Sequence, residues 1–209
     1  MTSASSFKAA GASQPEHRLS RAWLQERRRF FRALLSNPRS VGALAPSGSA
    51  LSAAITAGIT PCSGKILELG VGTGVFTRAL LRNGLDASAL VLVESDAEMS
   101  RHLRDEFPGA TVLNATAQNL PRRDHPALRG IEATICGLPL RNMASSYHRR
   151  ILAAAFSAMP EHGALYLFTY GLRCPVSQRV LDASGLTAKR THIVLRNFPP
   201  ACVYRLARR

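Results

Sequence analysis

The stretch Lys65-Ile66-Leu67-Glu68-Leu69-Gly70-Val71-Gly72-Thr73-Gly74-Val75-Phe76 constrains this chain more than any other. A short apolar run ends in an acid and then in glycines at alternate positions. A helical pattern follows over 77–81. A strand passing through a glycine turn into a helix is how α/β proteins bring main chain against a nucleotide. Glycine removes the Cβ where a ligand must touch backbone. The spacing is G-x-G-x-G and not the G-x-G-x-x-G of dinucleotide sites.

The rest of the chain falls into the same alternation. Apolar runs predict strands over 65–69, 89–93, 110–113, 132–136, 164–170, 187–195 and 202–207. Helical patterns lie over 49–57, 96–107, 147–159 and 176–184. Strands alternating with helices imply a mostly parallel, doubly wound sheet. The last two strands have no helix between them and predict a hairpin, which adds an antiparallel strand. Glu94 closes the second strand, where an acid accepts both hydroxyls of a ribose, and Ser95 would sit beside the base. Cys136-Gly137-Leu138-Pro139-Leu140 closes the fourth strand at the carboxyl edge, where open α/β sheets do their chemistry. There the backbone of Leu138 and Pro139 would face the reacting centre. Tyr147, His148 and Tyr170 fall near the same edge.

The 209 residues suffice for one α/β domain with a sizeable core. Residues 1–16, rich in Ser, Ala and Gly, read as disordered. Over 17–36, Trp23, Phe30 and Phe31 recur near helical spacing among arginines that include Arg28, so this stretch predicts a basic amphipathic helix ending before Asn37-Pro38. Such a helix packs on its own domain or lies on an anionic membrane surface. The division is a disordered 1–16, a basic helix and cofactor-covering segment over 17–48, and a catalytic domain over 49–209. The net charge is +14, carried almost entirely by arginine. That calls for an anionic partner: nucleic acid, anionic lipid or a phosphorylated substrate. The four cysteines are scattered and show no zinc spacing, so no metal is expected. They suit a reduced cytoplasmic protein. No apolar run reaches the length of a membrane span, and the N-terminus lacks the pattern of a secretory signal.

The glycine turn with Glu68 resembles the first motif of class I S-adenosylmethionine-dependent methyltransferases. The resemblance implies a Rossmann-like seven-stranded sheet with a terminal antiparallel hairpin strand, here preceded by the amphipathic helix. It implies S-adenosyl-L-methionine as cofactor and S-adenosyl-L-homocysteine as product. The cofactor-binding residues are then Glu68, Gly70, Val71, Gly72, Thr73, Gly74, Glu94, Ser95, Thr116, Ala117, Cys136, Gly137 and Ser47. Many such enzymes carry Gly-Asp-Ala after the third strand, with the Asp on the adenine amino group. This chain has Asn114-Ala115-Thr116-Ala117, so Thr116, Asn114 or Gln118 would take that bond, or a water would fill the gap.

A narrower resemblance is to bacterial phospholipid N-methyltransferases of the cytoplasmic-face type. It rests on Phe30-Phe31, the run from Asn37-Pro38-Arg39 to Pro46-Ser47, Gly137-Leu138-Pro139-Leu140, Phe168-Thr169-Tyr170-Gly171, and Leu195-Arg196-Asn197-Phe198-Pro199-Pro200-Ala201 with Val203-Tyr204. It implies methylation of phosphatidylethanolamine at the membrane surface, a peripheral location on the inner face of the plasma membrane, and attachment through Trp23, Phe30, Phe31 and Arg28. Arg39 or Arg196 would clamp the lipid phosphate. Tyr147, His148 and Tyr170 would accept or relay the amine proton, and the tyrosines would cage the methylated cation. Weaker likeness extends to ribosomal-RNA adenine dimethyltransferases, but Leu140 stands where those enzymes place an aromatic. Another aminolipid or a small amine is a further acceptor, and a cofactor-binding adaptor without turnover is the non-enzymatic reading.

Overall fold

The computed structural model describes residues 44–61, 64–121, 124–196 and 200–209, with side chains from Gly48 onward. The expectations placed on Trp23, Arg28, Phe30, Phe31, Arg39 and the side chain of Ser47 lie outside that range. A compact unit runs over Gly42–Arg209.

The chain enters through helix α1 (Leu44–Thr56), followed by β1 (Lys65–Leu69), α2 (Val75–Arg82), β2 (Leu90–Glu94), α3 (Ala97–Glu106) and β3 (Thr111–Asn114). The second half holds β4 (Ile131–Cys136), α4 (Ser145–Ala158), β5 (Ala164–Tyr170), α5 (Gln178–Ala183), β6 (Leu186–Val194) and β7 (Ala201–Arg208). One seven-stranded sheet has the order β3-β2-β1-β4-β5-β7-β6. The first five strands are parallel, while β7 runs antiparallel to both β5 and β6. The predicted doubly wound sheet and its closing hairpin are both present.

Buried parallel strands read as unbroken apolar runs, and every residue of β2 (Leu-Val-Leu-Val-Glu) is buried. Two cores flank the sheet. Leu67, Leu69, Val91, Leu165 and Leu167 pack with α4 and α5 residues such as Ile151, Phe156 and Val180. Ile66, Leu90, Leu92 and Val203 pack with Ile55, Leu80 and Leu103 of α1, α2 and α3.

Most boundaries shift by one or two residues from the sequence reading, and one shifts by more. Helix α1 begins at Leu44, ahead of Pro46, and not at Ser49. The first amides of a helix have no partner in the helix, so a proline in its first turn loses no hydrogen bond.

Candidate active site

The glycine turn leaves β1 with Gly70, Gly72 and Gly74 at φ 73, 58 and 73, in the left-handed region that favours glycine. The Gly70 amide donates to the carbonyl of Val93 (2.8 Å) and that of Gly74 to Val71 (3.1 Å), so the turn is fastened to the tip of β2. Gly74 then caps α2. Val71 is buried and Thr73 half-buried.

Glu94 ties the pieces together. It is 2% exposed. Its Oε2 accepts from the Gly72 amide (3.1 Å), and its Oε1 accepts from the Asp96 amide (3.0 Å) and the Ser95 hydroxyl (3.3 Å). The backbone carbonyl of Glu94 accepts from Ser100 Oγ (3.0 Å), Asn114 Nδ2 (2.9 Å) and the Ala115 amide (3.1 Å). Asn114, one of the groups offered for a base, thus braces the tips of β2 and β3 through its Nδ2.

Across β1, Gly137 extends β4 and donates to the carbonyl of Leu69 (2.9 Å). A Cβ there would stand 2.7 Å from the carbonyl oxygen of Gly70. This position demands glycine because two chains approach, and its φ is ordinary. Cys136 contributes only backbone to this edge. Its thiol is fully buried in the core, and burial pushes it up to about 11.

Glu68 is 1% exposed. Its Oε2 accepts from the Thr77 hydroxyl of α2 at 2.7 Å. Burial pushes this carboxyl up to about 8; the Thr77 bond pulls it down in part, and nearby Glu94 raises it further. Thr77 and Ser100 escaped the sequence reading, although Thr77 stands one turn into the helix that the glycine motif announces.

Leu138 is buried and Pro139 exposed. After them a short turn, Leu140–Asn142, leads to α4. His148, 5% exposed in α4, meets the carbonyl oxygen of Leu140 through Nε2 at 2.7 Å. A carbonyl only accepts, so Nε2 carries a proton, and in the neutral ring Nδ1 is the acceptor nitrogen. Tyr147 is half-buried in the first turn of the same helix. Tyr170 ends β5 at 44% exposure, and partial burial raises its phenol above the ordinary range. Its ring stands edge-on to Phe168 (5.6 Å between centroids), which stands edge-on to Phe76 beside the glycine turn (5.7 Å). This aromatic row joins the glycine turn to the end of β5, and the sequence reading missed it. Arg196 is exposed in the turn after β6.

Among the described residues, three buried side-chain polar atoms lack a hydrogen-bond partner: Glu68 Oε1, Thr116 Oγ1 and His148 Nδ1. Each such atom costs about 1–3 kcal/mol. All three belong to residues at or next to the carboxyl edge of the sheet. Ala117, beside Thr116, is buried in the core and offers backbone alone. Unpartnered buried polar atoms of this kind call for an explanation, and a polar ligand at the carboxyl edge would supply one. No group of His, Cys, Asp and Glu among the described residues is arranged to hold a metal ion.

Strand order, antiparallel hairpin and glycine turn are those of the Rossmann-like class I methyltransferase fold. Solved structures share it. The 1,6-didemethyltoxoflavin N1-methyltransferase of Burkholderia thailandensis, with S-adenosylhomocysteine bound, superposes at a TM-score of 0.63 with 14% identity over 96% of this chain and 93% of its own. A possible histamine N-methyltransferase from Thermotoga maritima gives 0.61 and 17% over 86% and 98%. A TehB-like S-adenosylmethionine-dependent methyltransferase from Corynebacterium glutamicum gives 0.59 and 15% over 90% and 99%. No protein-family profile and no curated protein matches the chain.

Proposed function

We propose that the chain is an S-adenosylmethionine-dependent N-methyltransferase acting on the amine headgroup of phosphatidylethanolamine and its mono- and dimethyl forms, at the cytoplasmic face of a membrane. The observation that carries methyl transfer is the glycine turn with its orphaned polar atoms, in a fold shared with enzymes solved with S-adenosylhomocysteine or described as using S-adenosylmethionine. The residues present fit that ligand. The left-handed Gly70 and Gly72 keep side chains off the turn against which it would lie. Glu94 offers a fixed carboxylate for ribose hydroxyls, Thr116 Oγ1 an unspent hydroxyl for the base, and Glu68 Oε1 a site for an ammonium, whose charge would hold the carboxyl ionised. When bound, the ligand supplies an electrophilic methyl on a sulfonium.

The chain must then hold a neutral amine in line and keep water out. An ammonium has to lose its proton first. Phenols are poor bases near neutral pH, and burial raises Tyr170 further. In the neutral ring of His148 the acceptor nitrogen is Nδ1. In this reading His148 takes the proton, and the aromatic row ending at Tyr170 offers ring faces to the methylated cation. The lipid acceptor rests on the motif resemblance over about residues 23–206, on the aromatic and arginine-rich segment around Trp23, and on the surplus of arginine. No helix among the described residues is long and apolar enough to cross a membrane, so the reading is peripheral attachment.

The test is transfer of labelled methyl from S-adenosylmethionine to vesicles of phosphatidylethanolamine and phosphatidylglycerol, with ribosomal RNA in a parallel arm. Label in mono-, di- or trimethylated phosphatidylethanolamine is expected. Label in RNA alone, or in neither arm while the ligand binds, refutes the lipid acceptor.

A further inference from the structure

Strand β6 forms one edge of the sheet, and Lys189, Arg190, His192 and Ile193 stand exposed along it. Charge on an edge strand guards against pairing with another chain. That accounts for the lysine and arginine but not for the apolar residues at the end of the strand. Ile193 is 48% exposed, Leu195 76% and Leu172 67%.

A single exposed leucine means little, but these gather in one place. The Leu172 carbonyl accepts from Tyr204 Oη of β7 at 2.6 Å and from the Arg190 guanidinium of β6 at 3.4 Å. This holds the loop after β5 over the two hairpin strands. The register sets Ile193 opposite Cys202 and Val194 opposite Ala201, and Ala201 in turn faces Tyr170. The end of the hairpin thus lies beside the end of β5, at the carboxyl edge that carries the candidate site. Of the five large hydrophobic residues that stand exposed among the described residues, three (Leu172, Ile193 and Leu195) belong to this corner, and Tyr170 ends the adjoining strand on the other face of the sheet.

The charge around it has one sign. Between residues 133 and 209 the only carboxylate side chains are Glu161 and Asp182. Each is already paired, with Arg208 and Arg209 respectively. Arg141 and Arg173 are exposed next to the corner. Aliphatic side chains rimmed by arginine, with both acids of residues 133–209 already paired, match an anionic lipid surface: the apolar groups reach the boundary between headgroups and acyl chains while guanidinium groups meet phosphates. Single-stranded nucleic acid is held by aromatic side chains on which bases stack, and the most exposed groups here, Leu172 and Leu195, are aliphatic.

We propose that the corner formed by Leu172, Arg173, Ile193 and Leu195 seats on an anionic phospholipid surface and presents the carboxyl edge of the sheet to the headgroups. The proposal deepens the lipid reading given above and rests on it for its purpose, but its test needs no turnover.

The experiment is flotation of the full chain with phosphatidylethanolamine–phosphatidylglycerol vesicles and with phosphatidylcholine vesicles. The Leu172→Asp/Leu195→Asp double variant should lose about tenfold in partition onto the anionic vesicles, with a wild-type circular dichroism spectrum and melting temperature. Arg173→Glu, a single exposed change, gives a second reading should the double variant misfold; it should weaken the anionic vesicles and not the neutral ones. Trp23→Asp serves as comparator for attachment through the N-terminal segment. A folded double variant or Arg173→Glu that floats like wild type overturns the proposal, whatever Trp23→Asp does. So does a loss of affinity for a short RNA duplex with vesicle binding intact. If wild type methylates no lipid while these variants still lose the vesicles, the docking face stands and the lipid-substrate reading falls.

Discussion

At the scale of single residues, Glu68 is where site and stability conflict. Its carboxyl moves from an ordinary 4.5 to about 8 because it is buried. Between those values the folded chain keeps a proton that the unfolded chain has released. Stability contributed by this group is therefore complete below about pH 4.5 and falls as pH rises toward 8. Glu68→Gln should remove a loss on the order of 3 kcal/mol across pH 5 to 8 while weakening ligand binding. Denaturant melts at several pH values check this, and equal pH slopes for both proteins would contradict it. The sequence showed Glu68, Glu94 and the glycines because local spacing carries that motif. It did not show Thr77 under Glu68, nor the fate of Asn114, because those partners are chosen across elements that only packing brings together. Thr116 is an instructive case. The departure from an acid was visible, but its unpartnered hydroxyl became visible only in the fold.

At the scale of elements, α4 supports the turn that follows β4. His148 donates to Leu140, and so the same helix that covers one face of the sheet fixes the Leu138–Leu140 backbone. His148→Leu should cost about 1–3 kcal/mol of stability and lower kcat for methyl transfer by roughly a hundredfold or more, with calorimetric affinity for S-adenosylhomocysteine unchanged. A kcat within twofold of wild type would remove His148 from the proton path. Strands β1, β2, β4 and β5 were legible in advance because strands buried on both faces are unbroken apolar runs. The β6–β7 pair was legible from the missing helix between two runs. The start of α1 was not, because Pro46 reads locally as a breaker while the first turn of a helix tolerates it. The aromatic row of Phe76, Phe168 and Tyr170 draws on α2 and β5, which are distant in sequence, so no periodicity announces it.

At the scale of the whole molecule, the fold gathers one set of groups at one edge. Glycine turn, orphaned polar atoms, aromatic row and exposed apolar corner all lie at or beside the carboxyl ends of the strands, and surplus arginine accumulates on the half that ends in the hairpin. The sequence disclosed the charge but not its distribution over a surface, because that depends on which strand becomes the edge. Every functional step above requires that the glycine turn hold the methyl donor, so the most direct test is calorimetric titration of the full chain with S-adenosylmethionine, beside Gly72→Val. Gly72 has φ 58, and its amide binds Glu94; a β-branched side chain there strains the backbone and displaces that bond. The account predicts saturable one-to-one binding by wild type and none by a folded Gly72→Val. Absence of binding to wild type, or wild-type affinity in the variant, would contradict it.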